Sequence, residues 1–205
     1  MVGREAKVGE ATGNFTPCAR HASPAARPSS SDPNRDMTDV ITTRPARPAD
    51  EPAVSALHAA VFGPGRFART AYRIREGVRP RAFPMSAFCR VAVREACILA
   101  SVTLTEIRIG GATGALMLGP LAIAPEIAGQ GYGRRIAAES LEEARNAGFA
   151  LVLLVGDEPY YARLGFQRVP PGRIVLPGPV DPQRLLACEL KEAALANFAG
   201  LVTAA

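Results

Sequence analysis

Apolar residues along this chain recur at a spacing of two in some stretches and of three to four in others, a switching that predicts alternating strands and helices. Val40 to Arg44 reads as a first strand. Asp50 is placed to cap a helix whose apolar positions Val54, Leu57, Val61 and Phe62 follow helical spacing, and Gly63-Pro64-Gly65 stops it. A second helix is predicted over residues 66–76. After a Pro-containing loop, Phe88 to Arg94 and Ile98 to Ile109 read as two strands joined by a tight turn, a hairpin. Within the longer one, Val102 and Leu104 occupy one alternation phase and Ile107 and Ile109 the other, so a bulge or bend is expected near Thr105-Glu106. Ala115 to Ala124 is a third apolar strand. Gly119-Pro120 inside it removes a ladder donor and is expected to bend or part the sheet there.

The next helix, about Gly131 to Ala147, puts Ile136, Ala137, Ser140, Leu141 and Ala144 on one face and mostly charged residues on the other, with Gly148 placed to end it. Phe149 to Val155 is continuously apolar, as in a strand covered on both faces. Strand, helix and strand then form a βαβ unit with parallel neighbours. The fold class is α/β. A last strand near Leu185 to Leu190 offers an edge for a homodimer without requiring one. Residues 1–38 mix Gly, Pro, Ser and scattered charge without periodicity and read as a disordered tail, with Met37 an alternative start. The domain is expected over 39–192, with 193–205 as a C-terminal tail.

At 205 residues the chain suits one domain, and its 48% hydrophobic and 21% charged content suits a globular protein. No apolar run approaches the roughly 20 residues that cross a bilayer, so no membrane partner is expected. The net charge of +5 comes from an Arg-rich chain in which Lys7 and Lys191 are the only lysines. Its densest cluster, Arg66, Arg69, Arg73, Arg75, Arg79 and Arg81, reads first as a solvated helix face, or as an attractor of anions such as a nucleotide cofactor. A nucleic-acid role is disfavoured, because no reading motif or basic-aromatic platform accompanies the cluster. Cys18, Cys89, Cys97 and Cys188 lie far apart with no Cys-x-x-Cys pair, which indicates neither a zinc site nor a disulfide framework and points to a cytoplasmic location; no metal ligands are assigned. Of the two histidines, His58 sits among apolar helix positions and reads as packed rather than catalytic. A Gly-x-Ser-x-Gly elbow is absent, which disfavours hydrolases.

Gly129-Gln130-Gly131-Tyr132-Gly133-Arg134 lies between the third strand and the following helix. Glycines at alternate positions let the backbone approach a ligand, and free N–H groups with the positive end of the helix dipole favour an anion such as a pyrophosphate. The segment is neither a dinucleotide fingerprint, since Arg134 occupies the third glycine's place and Asp157 alone does not rescue the match, nor a P-loop. The plainer alternative is a tight strand-to-helix turn.

These residues resemble the GNAT superfamily of N-acetyltransferases, whose cofactor motif is Arg or Gln, two residues, Gly, one residue, then Gly or Ala. Gly131 and Gly133 match its glycines, Ala128 departs at its first position, and Gln130 is close by. Tyr160-Tyr161-Ala162-Arg163-Leu164-Gly165-Phe166 is similar to the family's Tyr, three residues, Gly-Phe ending. The two motifs cover residues 115–168, and the element order extends the likeness over 39–190. The resemblance implies a GNAT-like central mixed sheet that parts between two parallel strands, flanked by helices, with acetyl-CoA as co-substrate in the opening. It implies cofactor contacts at Leu121, Ala122 and Ile123 and at Gly129, Gln130, Gly131, Tyr132, Gly133 and Arg134.

The implied activity is transfer of an acetyl group to a primary amine on a small molecule or peptide. Such transfer needs a neutral amine, support for the oxyanion and a proton for the leaving thiolate. By the motif match Tyr161 supplies that proton; otherwise it is an aromatic packed on the next strand. Glu106, at the expected bulge, is the candidate to drain a proton through water, against a plain reading as a solvent-facing strand acid. The acceptor site is expected between the first two helices and the loop around residues 80–84, whose arginines hint at an acidic substrate. The rival function is a non-catalytic acyl-CoA-binding sensor.

Overall fold

The computed structural model describes residues 40–63 and 86–205, and the expected tail at 1–38, the helix at 66–76, its arginine cluster and the loop at 80–84 lie outside them. Strands β1 (Thr42–Pro45), β2 (Arg90–Arg94), β3 (Cys97–Ile109) and β4 (Ala112–Ile123) follow one another antiparallel. Next to β4 lies β5 (Leu151–Val155), parallel to it, and then β8 (Leu185–Glu189) and β6 (Gln167–Arg168), both antiparallel. The short strand β7 (Ile174–Val175) pairs with β9 (Gly200–Ala204), which also pairs with the end of β3. Among the described residues three α-helices accompany the sheet: α1 (Glu51–Phe62), α2 (Tyr132–Asn146) and α3 (Glu158–Tyr161).

Two cores, one on each face, explain the strand patterns. Val54 and Leu57 of α1 and Ile136, Ala137, Leu141 and Ala144 of α2 pack with Leu104, Leu116 and Leu154 on the first face. On the other, Ile107, Met117 and Leu153 meet Ile174, Phe198 and Val202 from the C-terminal segment. Neighbouring residues of one strand therefore serve different cores. That arrangement corrects the expectation of a bulge at Thr105-Glu106: the two phases of β3 are its two buried faces, and Thr105 and Glu106 pair regularly with Met117 and Leu116. The register breaks instead where Leu104 faces Leu118 but Val102 faces Leu121, and where Ile107 faces Ala115 but Ile109 faces Ala112. In both intervals the extra residue belongs to β4.

The C-terminal tail expected at 193–205 is also corrected, because Gly200–Ala204 forms β9 and Phe198 and Val202 close the second core. Arg173 fastens the segment, its guanidinium donating to the carbonyls of Leu195 at 3.1 Å, Phe198 at 3.0 Å and Ala196 at 2.6 Å. His58 is buried and bonds Ser101 at 2.9 Å, as its apolar setting suggests. Cys89 and Cys188 are buried thiols outside any disulfide, whereas Cys97 is disulfide-bonded, against the reading that no disulfide is indicated.

The feature that positions the site is the short contact between β4 and β5. Parallel pairing covers only Ala115 to Met117 against Leu151 to Leu153. Beyond it β4 stays with β3, Leu121 facing Val102 and Ile123 facing Ala100, while β5 continues on β8, Leu154 facing Leu186 and Val155 facing Leu185. Gly119-Pro120, a cis peptide, lies where the strands separate. Pro120 lacks the N–H that the next ladder bond needs, so the sheet opens at the predicted place.

Candidate functional site

The opening is bounded on one side by the bare edge of β4. Ala124 donates its N–H to the Leu99 carbonyl at 2.7 Å, so alternation along the strand turns the backbone groups of Ile123 and Leu121 to the opposite edge, the one β5 vacates. Ala122 has its backbone toward β3 and a fully buried side chain, and it lines no part of the opening, unlike its expected role.

Below that edge the Gly-rich loop delivers the start of α2. Gly129 and Gly131 take φ of +77° and +88°, the left-handed region that a Cβ disfavours, and Gly131 occupies the N-cap position without a side chain to satisfy the first N–H groups. The first turn contains no acid but holds Arg134 and Arg135, the reverse of what the helix dipole favours unless an anion joins it. Arg135 pairs with Glu139 at 3.0 Å, and Arg134 borders the opening. A Cβ on Gly133 would sit 2.1 Å from Ile123 Cδ1 and 2.9 Å from the Tyr160 hydroxyl, so any larger residue there must displace these two side-chain ends.

The resulting cavity has a volume of about 700 Å³. Its walls combine the glycine loop and Arg134 with an apolar side of Leu121, Ile123 and Ile127, closed by Tyr160 and Tyr161 of α3. One end suits a polyanion and the other an extended apolar arm. Gln130, expected among the contacts, points away: its amide donates to the Glu126 carbonyl at 3.0 Å, and it does not border the cavity. Ala128 and Arg163, which the sequence reading did not assign to the site, do border it.

A second cavity, of about 390 Å³, lies on the other side of the parting. Phe62 from the end of α1 joins Leu118 and Pro120 of β4, Val155 of β5, and Val180 and Arg184 from the segment before β8. Leu121, Asp157 and Tyr161 border both cavities. Tyr161 packs edge-on against Phe166, ring centroids 5.8 Å apart, and against Tyr160 at 4.8 Å. Burial pushes its hydroxyl up to about 12, helped by Tyr160 and Asp157 and opposed by Arg184. Burial raises Tyr160 as well, with Arg134 opposing. Glu106 is exposed on β3 and borders neither cavity, so the structure does not bring it to the site. Of the expected acceptor-site elements, α1 falls within the described residues, and its Phe62 borders the second cavity. The segment 179–184 carried no sequence signal beyond turn-forming Pro and Asp.

The model of the Acetyltransferase (GNAT) family matches residues 57–166, more than half of the chain and the stretch that holds the parted strands and the glycine loop. The chain belongs to the GNAT family. Among solved structures, the GNAT family N-acetyltransferase YhbS of Escherichia coli, in complex with CoA, is similar with a TM-score of 0.68 at 23% identity, over 86% of this chain and 94% of that one. A GNAT acetyltransferase of Brucella melitensis in complex with acetyl-CoA gives 0.50 at 25% identity, over 76% and 97%. The loading domain of CurA from Lyngbya majuscula, at 14% identity and 0.55, shares the fold, over 74% of this chain and 98% of that one. No curated protein matches. Among the described residues of this GNAT chain, no group of side chains could hold a metal ion and no helix is long and apolar enough to cross a membrane.

Proposed function

We propose that this GNAT protein transfers an acetyl group from acetyl-CoA to a primary amine. The observation that carries the reading is that two cavities of different character meet at Tyr161, where β4 and β5 part. The larger supports the donor: the α2 N-terminus and Arg134 would take the pyrophosphate, and the Leu121 and Ile123 backbone would hold the pantetheine arm as a further strand would. The smaller, whose walls mix apolar side chains with Asp157, Asp181 and Arg184, would take the acceptor. The CoA-bound and acetyl-CoA-bound neighbours support the choice of donor.

Tyr161 would serve the leaving sulfur. Its hydroxyl near 12 stays protonated at neutral pH, but full transfer to a thiolate whose conjugate acid lies near an ordinary thiol's ~8.5 is uphill by about 5 kcal/mol. The hydroxyl therefore acts as a hydrogen-bond donor on the developing thiolate and as a bridge for the proton that nitrogen sheds as the amide forms. A cofactor-binding protein without catalysis would need no acceptor cavity at this point. The test is calorimetric titration of acetyl-CoA into the purified chain, then mass spectrometry of primary amines incubated with both. Saturable binding and acetylated amine are expected; absence of binding overturns the proposal, and binding without acetylation leaves the sensor.

A further inference from the structure

Glu106 lies away from both cavities, so the group that neutralises the acceptor must come from elsewhere. Amines in water near neutral pH are mostly ammonium ions, which carry no lone pair for attack. Asp157 is the one carboxylate, among the described residues, that borders both cavities. It lies two residues beyond the end of β5 and occupies the N-cap position of α3, yet its side chain makes no capping bond. Its carboxylate instead meets Arg184 at 3.3 Å, both side chains being about half exposed, so one face remains open to a ligand.

The neighbouring acids are committed elsewhere. Glu158 pairs with Arg168 at 2.6 Å, and Asp181, which borders the acceptor cavity only, accepts the Gln183 N–H at 2.9 Å. The charged and titratable groups around Asp157 are Arg184 from the turn before β8, Tyr161 from α3, Asp181 across the second cavity, and Tyr132, Arg134, Arg163 and Tyr160 in the first. Two carboxylates and one guanidinium around the second cavity favour a cation there, contrary to the acidic substrate that the arginine content suggested.

Resting on the proposed acetyl transfer, we propose that Asp157 is the catalytic residue that receives the acceptor ammonium and takes its proton. The ammonium gives one proton to the Asp157 carboxylate, which passes it to solvent. Nitrogen then forms its bond to the acetyl carbon, the carbon–sulfur bond breaks, and a second nitrogen proton reaches sulfur through the Tyr161 hydroxyl. One proton is released overall, as the conversion of ammonium and thioester to amide and thiol requires.

The experiment compares the parent with Asp157→Asn and Asp157→Glu. Acetyl-CoA binding is measured by calorimetry, and thiol release is followed from pH 6 to 10 with tyramine, spermidine, L-lysine and a short peptide with a free N-terminus. Asp157→Asn should bind acetyl-CoA within about twofold of the parent, a margin of about 0.4 kcal/mol. Its kcat on the best amine should fall about 100-fold near neutrality, the low end for a lost general base. The deficit should close as pH rises toward the amine's own pKa, and Asp157→Glu should recover part of the rate. A kcat within threefold of the parent with an unchanged pH profile overturns the assignment, as does a parent that binds acetyl-CoA but acetylates none of the four amines. A parent that does not bind acetyl-CoA refutes the acetyl-transfer reading itself.

Discussion

Gly133 is the position where the structure makes its most quantitative demand. In Gly133→Ala the new methyl lies 2.1 Å from Ile123 Cδ1 and 2.9 Å from the Tyr160 hydroxyl. Carbon atoms in contact rest near ~3.5 Å, so Cδ1 must retreat by about 1.4 Å. Both obstructing atoms are ends of side chains that border the donor cavity, and the free space into which they can move is that cavity. An off-rotamer isoleucine costs about 0.5–1.5 kcal/mol, while replacing a helical glycine by alanine returns up to about 1 kcal/mol. Stability should therefore change by less than about 1 kcal/mol in urea denaturation. The cost appears in binding: acetyl-CoA affinity should drop about tenfold, or 1.4 kcal/mol, because the displaced carbon occupies the ligand's space. Adding Ile123→Val deletes that carbon and should restore most of the affinity. A Gly133→Ala protein destabilised by more than about 3 kcal/mol, or one whose weakened binding Ile123→Val does not rescue, would refute the argument that the obstruction yields into the cavity.

Two further outcomes follow from named contacts. Tyr161→Phe should leave acetyl-CoA binding unchanged and lower kcat about 100-fold, read by thiol release; a rate within threefold would return Tyr161 to a packing role. Because the folded hydroxyl sits near 12, above the ~10 of an unfolded tyrosine, Tyr161 contributes stability that is complete below pH 10 and lost as pH rises through 12. The phenylalanine variant should lack at most about 3 kcal/mol of that alkaline loss in denaturation curves taken across this interval. Arg173→Ala removes the donor shared by the carbonyls of Leu195, Ala196 and Phe198, and should cost about 2 kcal/mol and speed hydrogen exchange at the β9 amides. Arg173→Lys should not restore protection, since one ammonium does not reproduce a planar fork.

Where the sequence carried local signals, the fold and site were readable. The five residues assigned to the packed face of α2 are all buried, because helical spacing records which face meets the sheet. Gly119-Pro120 marked the parting because proline's missing donor acts where it stands. The glycine loop and Tyr161 were readable through their motifs. Other features depend on distant pairing. The bulges fall on β4 rather than β3, since two apolar phases in one strand look alike whether a bulge or a second core produces them. β9, at Gly200–Ala204, is short and rich in small residues, so its partners rather than its pattern make it a strand. Gln130 and Ala122 do not border either cavity because neighbours in sequence face opposite ways at a strand edge and in a turn. Asp157 gained its place only when α3 and the turn at Pro182–Arg184 were brought together.

The separation of β4 from β5 is held by the outer partner of each strand, β3 on one side and β8 on the other, and not by any wedge inside it. The first cavity consequently takes much of its shape from the course of the main chain, which drifts slowly as side chains are exchanged. The second takes its shape from side chains and from the loop at 179–184. Substitution over evolutionary time can thus replace one acceptor by another while the donor berth stays as it is, and an engineer seeking a new acceptor would begin at Phe62, Val180 and Arg184 and leave the parting alone.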